Sequence, residues 1–124
     1  MQIIGIVDDD RAVRDALARL LASCGYTVLR FASAEDFLEN DSSVDCLVLD
    51  VQLPGLSGLD LAQRLRGLQR RTPVVFITGQ TDPCLHDAVR KTSMPWLQKP
   101  FDADCLLDAI CRAAATPAVL SERM

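Results

Sequence analysis

Four places in this sequence carry groups beyond what their surroundings need: Asp8-Asp9-Asp10, Asp50, Thr78-Gly79 and Lys99-Pro100. Each lies at the end of a short apolar run. Asp10 alone suffices to cap a helix that follows it, which leaves Asp8 and Asp9 surplus to that purpose. Carboxylates that converge in a cleft repel one another, and the repulsion is relieved by a proton on one of them or by a divalent cation. Hard oxygen ligands in an incomplete cage favour Mg2+, which keeps waters and leaves positions for a phosphoryl oxygen. Lys99, placed between a strand end and a proline, points across the cleft toward Asp50. An ammonium there offsets the carboxylates and stabilises charge on a transferred phosphoryl group. Thr78 adds a hydroxyl donor on the same edge, and Gly79 leaves room for a bulky ligand. Taken singly, each residue has an ordinary structural role. Together they form the set that nucleophilic capture of a phosphoryl group by a carboxylate requires.

The elements that must bring these groups together are legible in the hydropathy pattern. Ile3 to Val7, Val44 to Leu49 and Pro73 to Ile77 are apolar, rich in β-branched residues and without polar alternation. Such runs predict strands buried on both faces, hence a parallel sheet covered by helices. In Arg11 to Cys24 the apolar residues Val13, Leu17, Leu20, Leu21 and Cys24 form one helical stripe, and Gly25 stands where a left-handed cap ends it. Thr27 to Phe31 predicts another strand, Ser33 caps a short helix to about Glu39, and 40–43 form a loop. Leu53-Pro54-Gly55 is turn chemistry, after which Ser57 caps a helix bearing Leu61, Leu65 and Leu68. Arg64, Arg66, Arg70 and Arg71 gather at its negative end. A fourth helix is expected from Asp82 to Lys91, a strand over Trp96-Leu97-Gln98, and a last helix from Asp102 to about Ala115 carrying Leu106, Leu107 and Ile110. Five strands alternating with five helices make a single doubly wound α/β unit. Its ligands belong beyond the carboxyl ends of the strands, where all the groups above are placed.

Length and composition exclude several classes of function. The 124 residues suit one domain with one core, and 49% hydrophobic with 24% charged residues is ordinary for a globular protein. With 13 Lys and Arg against 17 Asp and Glu, the net charge is −4, which offers nothing to nucleic acid or to anionic membranes. No apolar run is long enough for a membrane span and the N-terminus does not resemble a secretory signal, so the cytoplasm is the expected compartment. Cys24, Cys46, Cys84, Cys105 and Cys111 are odd in number and form no C-x-x-C pair, which predicts reduced, mostly buried thiols. His86 lacks the further ligands a zinc site needs and is read as a surface histidine.

The sequence resembles the receiver domain of two-component response regulators, in its FixJ-type form. The resemblance rests on Val7-Asp8-Asp9-Asp10, on Leu47-Val48-Leu49-Asp50-Val51-Gln52-Leu53-Pro54-Gly55-Leu56-Ser57-Gly58, on Phe76-Ile77-Thr78-Gly79 and on Lys99-Pro100-Phe101. It implies a flavodoxin-like (βα)5 fold with strand order 2-1-3-4-5, a receiver domain over 1–115, and a tail or start of a linker over 116–124. It also implies that Asp50 accepts a phosphoryl group from a sensor histidine kinase or phosphotransfer protein. Asp9, Asp50 and the Gln52 carbonyl would ligate Mg2+, for which Mn2+ substitutes, with Asp8 acting through a metal-bound water. Lys99 would hold a phosphoryl oxygen, its bond to Pro100 being cis, while Thr78 and Trp96 would form the switch. Expected partners are the kinase and, through the fourth helix and fifth strand, a phosphorylation-dependent homodimer with Leu85, Val89 and Met94 as contacts. Such a chain is a signalling switch that catalyses only its own phosphorylation and dephosphorylation, with an output that in FixJ-type regulators is transcriptional.

The sequence departs from the family pattern in several places. Trp96 replaces a smaller aromatic residue, the span from Thr78 to Lys99 is one residue short, and Lys91-Thr92-Ser93-Met94-Pro95 replaces a glycine-containing turn. Gln52 and Gln80 border the path of the attacking water and are expected to set the lifetime of the phosphoryl group. No output segment follows Met124, which fits a stand-alone receiver or a piece of a longer regulator. The alternative reading is a receiver-like interaction module that works without phosphorylation. A dinucleotide-binding module is disfavoured because three aspartates after the first strand repel phosphate.

Overall fold

The computed structural model of the chain describes residues 2–40, 43–68, 72–79, 83–92, 94–99 and 101–115, with the main chain alone at 83–85 and 115. Strands β1 (Ile3–Val7), β2 (Thr27–Phe31), β3 (Cys46–Asp50), β4 (Val74–Thr78) and β5 (Trp96–Gln98) alternate with helices. The helices are α1 (Arg11–Ser23), α2 (Ala34–Asn40), α3 (Gly58–Gly67), α4 (Pro83–Arg90) and α5 (Ala103–Ala115). The strands form one sheet in the order β2-β1-β3-β4-β5, and every pairing is parallel.

The two-residue period of the strands divides the core into two layers. Ile4 and Ile6 of β1, Val48 of β3, and Val75 and Ile77 of β4 face Leu17 and Leu21 of α1 and Leu106 and Ile110 of α5. Val7, Leu47, Leu49, Val74 and Phe76 face Phe37 of α2, Leu61 and Leu65 of α3 and Val89 of α4. All five residues of β3 and of β4 are buried, as their unbroken apolar runs require.

The boundaries differ from the sequence reading for local reasons. Strand β3 starts at Cys46; just before it Asp45 meets β1 at Ile3 twice, its N–H donating to the Ile3 carbonyl at 2.7 Å and its carboxylate accepting the Ile3 N–H at 2.7 Å. Strand β4 starts one residue late because Pro73, which has no N–H, gives the ladder only its carbonyl, to Leu47 N–H at 2.8 Å. Asn40 ends α2 instead of opening a loop, its Nδ2 donating to the Asp36 carbonyl at 2.7 Å. Helix α1 stops at Ser23, with Cys24 as its C-cap and Gly25 at φ +95°. Leu68, which shares the helical side of Leu61 and Leu65 in the sequence, is the C-cap of α3 and lies 62% exposed, one residue past the last helical turn that faces the sheet.

Three expectations are corrected outright. Cys24, Cys105 and Cys111 are exposed and only Cys46 is buried among the described thiols, since the other three lie at a helix end or on the outer side of α5. Val89 is wholly buried against the sheet, so it is unavailable as a dimer contact. His86 is half-buried, its ring centre 5.0 Å from that of Trp96. Residues 1, 41, 42, 69–71, 80–82, 93, 100 and 116–124 lie outside the described residues, and with them the readings made of Gln80, Arg70, Arg71, Pro100 and its cis bond, and the tail. The side chains of Cys84 and Leu85 do as well.

Candidate functional site

The carboxyl edge of the sheet gathers the groups in question from β1, β3, β4 and β5. Asp8 follows the last residue of β1 and is fully buried, its N–H bonded to the Phe31 carbonyl of β2 at 3.2 Å. Asp10 caps α1, its Oδ1 accepting from Ala12 at 2.9 Å and Val13 at 3.3 Å. That leaves Asp8 free for another task. Its Oδ1 accepts the Asp10 N–H at 2.9 Å and its Oδ2 lies 3.3 Å from the Lys99 ammonium.

Asp50 ends β3 in register with Ile77 and is 6% exposed. Its Oδ1 accepts the Gln52 N–H at 3.0 Å, and its Oδ2 lies 3.4 Å from Lys99 Nζ. Lys99 continues the ladder beyond β5, its N–H donating to the Thr78 carbonyl at 2.8 Å. This bond aims its side chain over the end of β4 toward β3 and β1. Thr78 is fully buried as the last residue of β4, paired with Gln98. Gly79 makes no cleft of its own: a Cβ there would touch the Lys99 chain at an ordinary 3.8 Å.

Asp9 is exposed, and one carboxylate oxygen from each of Asp8, Asp9 and Asp50 can be chosen so that all three lie within 4.8 Å of one another. Burial, and then the negative charge of Asp8, push the Asp50 carboxyl up to about 6, against the opposing pull of the Gln52 N–H and the Lys99 ammonium. Burial works to lower the Lys99 pKa, but the charges of Asp50 and Asp8 outweigh it and raise it above the usual lysine value. The ammonium is thus held protonated between two buried carboxylates. Three acidic groups sharing one cation retain an excess of negative charge on their open side, and the oxygen donor set fits a hard divalent ion.

Of the other residues singled out in the sequence, Gln52 offers its main chain to Asp50 while its side chain stands in solvent. Trp96 lies away from the carboxylates, in register with Phe76, half-buried and tilted 44° against His86 of α4. The shortened link from α4 to β5 is built on Thr92, whose Oγ1 donates to the Val89 carbonyl at 2.6 Å and accepts the Met94 N–H at 3.1 Å. The hydroxyl does the work of the missing glycine turn.

Three contributors have no role assigned from the sequence. Arg14 Nη1 donates to the Asp8 carbonyl at 2.7 Å and so clamps the β1–α1 turn from the helix. Glu35 of α2 reaches the loop after Asp50, accepting the Leu56 N–H at 3.0 Å. Gly58 begins α3 against the main chain of Asp50. The first was findable, since an arginine one turn into the helix behind an acidic loop is placed to reach back to it.

The family model described as "Response regulator receiver domain" matches residues 4–111. The response regulator protein TodT of Pseudomonas putida is 43% identical over 115 residues, which are 90% of this chain and 50% of TodT. The transcriptional regulatory protein FixJ of Bradyrhizobium diazoefficiens is 39% identical over 124 residues, 96% of this chain and 60% of FixJ. The chain thus spans about half the length of the curated relatives it matches. Among solved structures, the crystal structure of FixJ-N superposes with a TM-score of 0.85 at 32% identity, covering 94% of this chain and 96% of that one. An acidic cluster at the carboxyl edge, a lysine laid across it from the fifth strand, the 2-1-3-4-5 sheet and these likenesses lead to one conclusion: the chain belongs to the receiver domains of two-component response regulators.

Proposed function

We propose that Asp50 is the phosphoacceptor, that its donor is the phosphohistidine of a sensor histidine kinase or phosphotransfer protein, and that residues 1–115 form the unit that does this in the cytoplasm. The observation that carries the reading is the placement of Lys99 Nζ, 3.3 Å from Asp8 and 3.4 Å from Asp50, beside the exposed carboxylate of Asp9. Asp50 is the member of the acidic set that itself ends a strand; it is nearly buried, and its Oδ1 accepts the Gln52 N–H while Oδ2 faces Lys99. An Asp50 oxygen forms the new P–O bond as the P–N bond of the donor breaks, and the electron pair of that bond stays on the imidazole nitrogen. At pH 7 a carboxyl of pKa about 6 is mostly ionised and ready to attack.

Lys99 then exchanges a carboxylate for a phosphoryl oxygen, a move its long chain permits, and Thr78 faces the same edge with a hydroxyl donor. Asp8, Asp9, Asp50 and the Gln52 carbonyl would hold Mg2+ or Mn2+, which when bound neutralises charge on the phosphoryl oxygens. Release of Asp8 and Asp50 from Lys99 is the local charge change, and Thr78 with Trp96 is the element that carries it to the α4–β5 face. A homodimer through that face would use Met94 and the rim of Trp96, because Val89 is buried. The output is transcriptional by similarity to FixJ. Gln52 and Gln80 set how long the phosphoryl group lasts.

Intact mass after incubation with acetyl phosphate, with and without Mg2+, tests the assignment. A single metal-dependent phosphoryl adduct, absent from Asp50→Asn, is the expected result. A folded, Mg2+-binding protein without an adduct would instead be a receiver-like interaction module.

A further inference from the structure

Val51 still bonds β4 through its N–H, to the Ile77 carbonyl at 2.9 Å; the loop that follows ends where α3 begins at Gly58, whose N–H donates back to the Val51 carbonyl at 3.0 Å. Val51 and Leu53 are buried beneath the loop, while Gln52, Pro54 and Gly55 are exposed. The base of the loop is therefore closed by a main-chain bond and its first half by two apolar anchors. Its apex is held from outside. Glu35, in the first turn of α2, extends across 21 positions of sequence to accept the Leu56 N–H with Oε2 at 3.0 Å.

The loop is shaped for this contact. Gly55 has φ +75°, a region that side-chain-bearing residues avoid, and a Cβ there would lie 2.6 Å from the same Glu35 oxygen. The glycine thus serves both the turn and the space that the carboxylate occupies. Glu35 also sits before the amino end of α3, capped by Ser57, where negative charge is favoured. The bond to Leu56 lowers the Glu35 pKa, so the group is ionised at neutral pH. Both partners are accessible to water, so the contact adds little to global stability. What it restrains directly is the Leu56 end of a short loop whose other end carries Gln52, the residue whose N–H orients Asp50.

We infer that Glu35 is a positioning residue for the phosphoacceptor site, holding the apex of the 51–57 loop so that the Gln52 main chain stays set against Asp50. The inference rests on the phosphoacceptor reading above for its functional half and on the loop geometry alone for its structural half.

Amide exchange at Gln52 and Leu56 in the metal-free protein, compared for wild type, Glu35→Ala and Glu35→Gln, tests the structural half. The half-saturating Mg2+ concentration for adduct formation from acetyl phosphate, measured on the same proteins, tests the functional half. Glu35→Ala is expected to speed exchange at both amides by about tenfold, the signature of a released local segment. It should raise half-saturating Mg2+ roughly three- to tenfold, less than the loss of a group bonded to a ligand itself, with the rate at saturating Mg2+ within about twofold of wild type. Glu35→Gln keeps an acceptor oxygen and should restore both readouts. Faster exchange confined to Leu56, or an unchanged Mg2+ requirement in Glu35→Ala, would overturn the inference. If wild type itself takes up no phosphoryl group, the phosphoacceptor reading fails, and exchange at Gln52 still decides whether Glu35 positions the loop.

Discussion

Gly58 begins α3 directly against the main chain of Asp50: a Cβ at Gly58 would overlap the Asp50 carbonyl oxygen and lie 2.9 Å from its carbon. Neither atom can rotate out of the way, unlike the end of a flexible side chain. Helix α3 and the strand end that bears the nucleophile are therefore in main-chain contact. Gly58→Ala should lower stability by about 1–3 kcal/mol, seen as a reduced urea midpoint, and should slow adduct formation because Asp50 itself is displaced. A variant with unchanged midpoint and rate would show that the loop absorbs the methyl group.

The raised Asp50 pKa has a definite sign in stability. Its folded value of about 6 exceeds the ordinary 3.8, so the folded state binds this proton more tightly than the unfolded state does. The stabilisation is full below about pH 4 and is lost as pH rises through about 6. In chelator, Asp50→Asn should be more stable than wild type by roughly 1–2 kcal/mol at pH 7 to 8, after allowance for solvent screening on the open side. The difference should vanish near pH 4. Parallel stability curves for the two proteins from pH 4 to 8 would refute the assignment.

Removing the ammonium leaves Asp8 and Asp50 facing each other with no cation between them. Lys99→Ala should destabilise the metal-free protein at pH 7.5 by about 2–3 kcal/mol, toward the lower end for breaking a buried pair because the lysine side chain is 26% exposed. Adduct formation should fall by about two orders of magnitude at saturating Mg2+. A rate loss under about threefold would remove Lys99 from the charge-stabilising role.

Thr92→Val keeps shape and deletes the hydroxyl that joins Val89 to Met94. A loss of about 1–2 kcal/mol is expected for two unmade bonds in a half-buried turn. The chain has 1 tryptophan, so its fluorescence reports on Trp96, the residue that β5 presents to α4, and its emission should shift with the same variant. Unaltered emission would mean that Thr92 holds the turn without setting the α4–β5 contact.

The groups of the site were legible because their types clash with their positions. Asp8, Asp50 and Thr78 are polar residues at the ends of strands that are otherwise apolar, and burial of the strands forces them to one edge. Lys99 was legible as a cation standing at the end of a strand and before a proline, and its parallel ladder bond to Thr78 does the aiming. What escaped were contacts between surfaces that no short-range pattern links. Glu35 looks like any acidic residue in a first helical turn, and only the return of the 51–57 loop across α2 gives it a partner. His86 has no aromatic residue near it in sequence, and its partner Trp96 is brought to it by the sheet. The cysteines misled because thiols are usually buried, whereas the outward side of α5 carries two of them. Val89 and Leu68 both fall on helical stripes, and a difference in helix ending decides that one packs and the other does not.

Asp8 and Lys99 are separated by 91 positions, and the contact between them closes the site. During synthesis the two aspartates leave the ribosome long before the lysine. A nascent chain lacking β5 holds its acidic groups without the cation that sits between them, the same defect as in Lys99→Ala, and on the phosphoacceptor reading it takes up a phosphoryl group as slowly as that variant. On that reading, full competence to accept a phosphoryl group arrives with β5, the last strand of the sheet to be made.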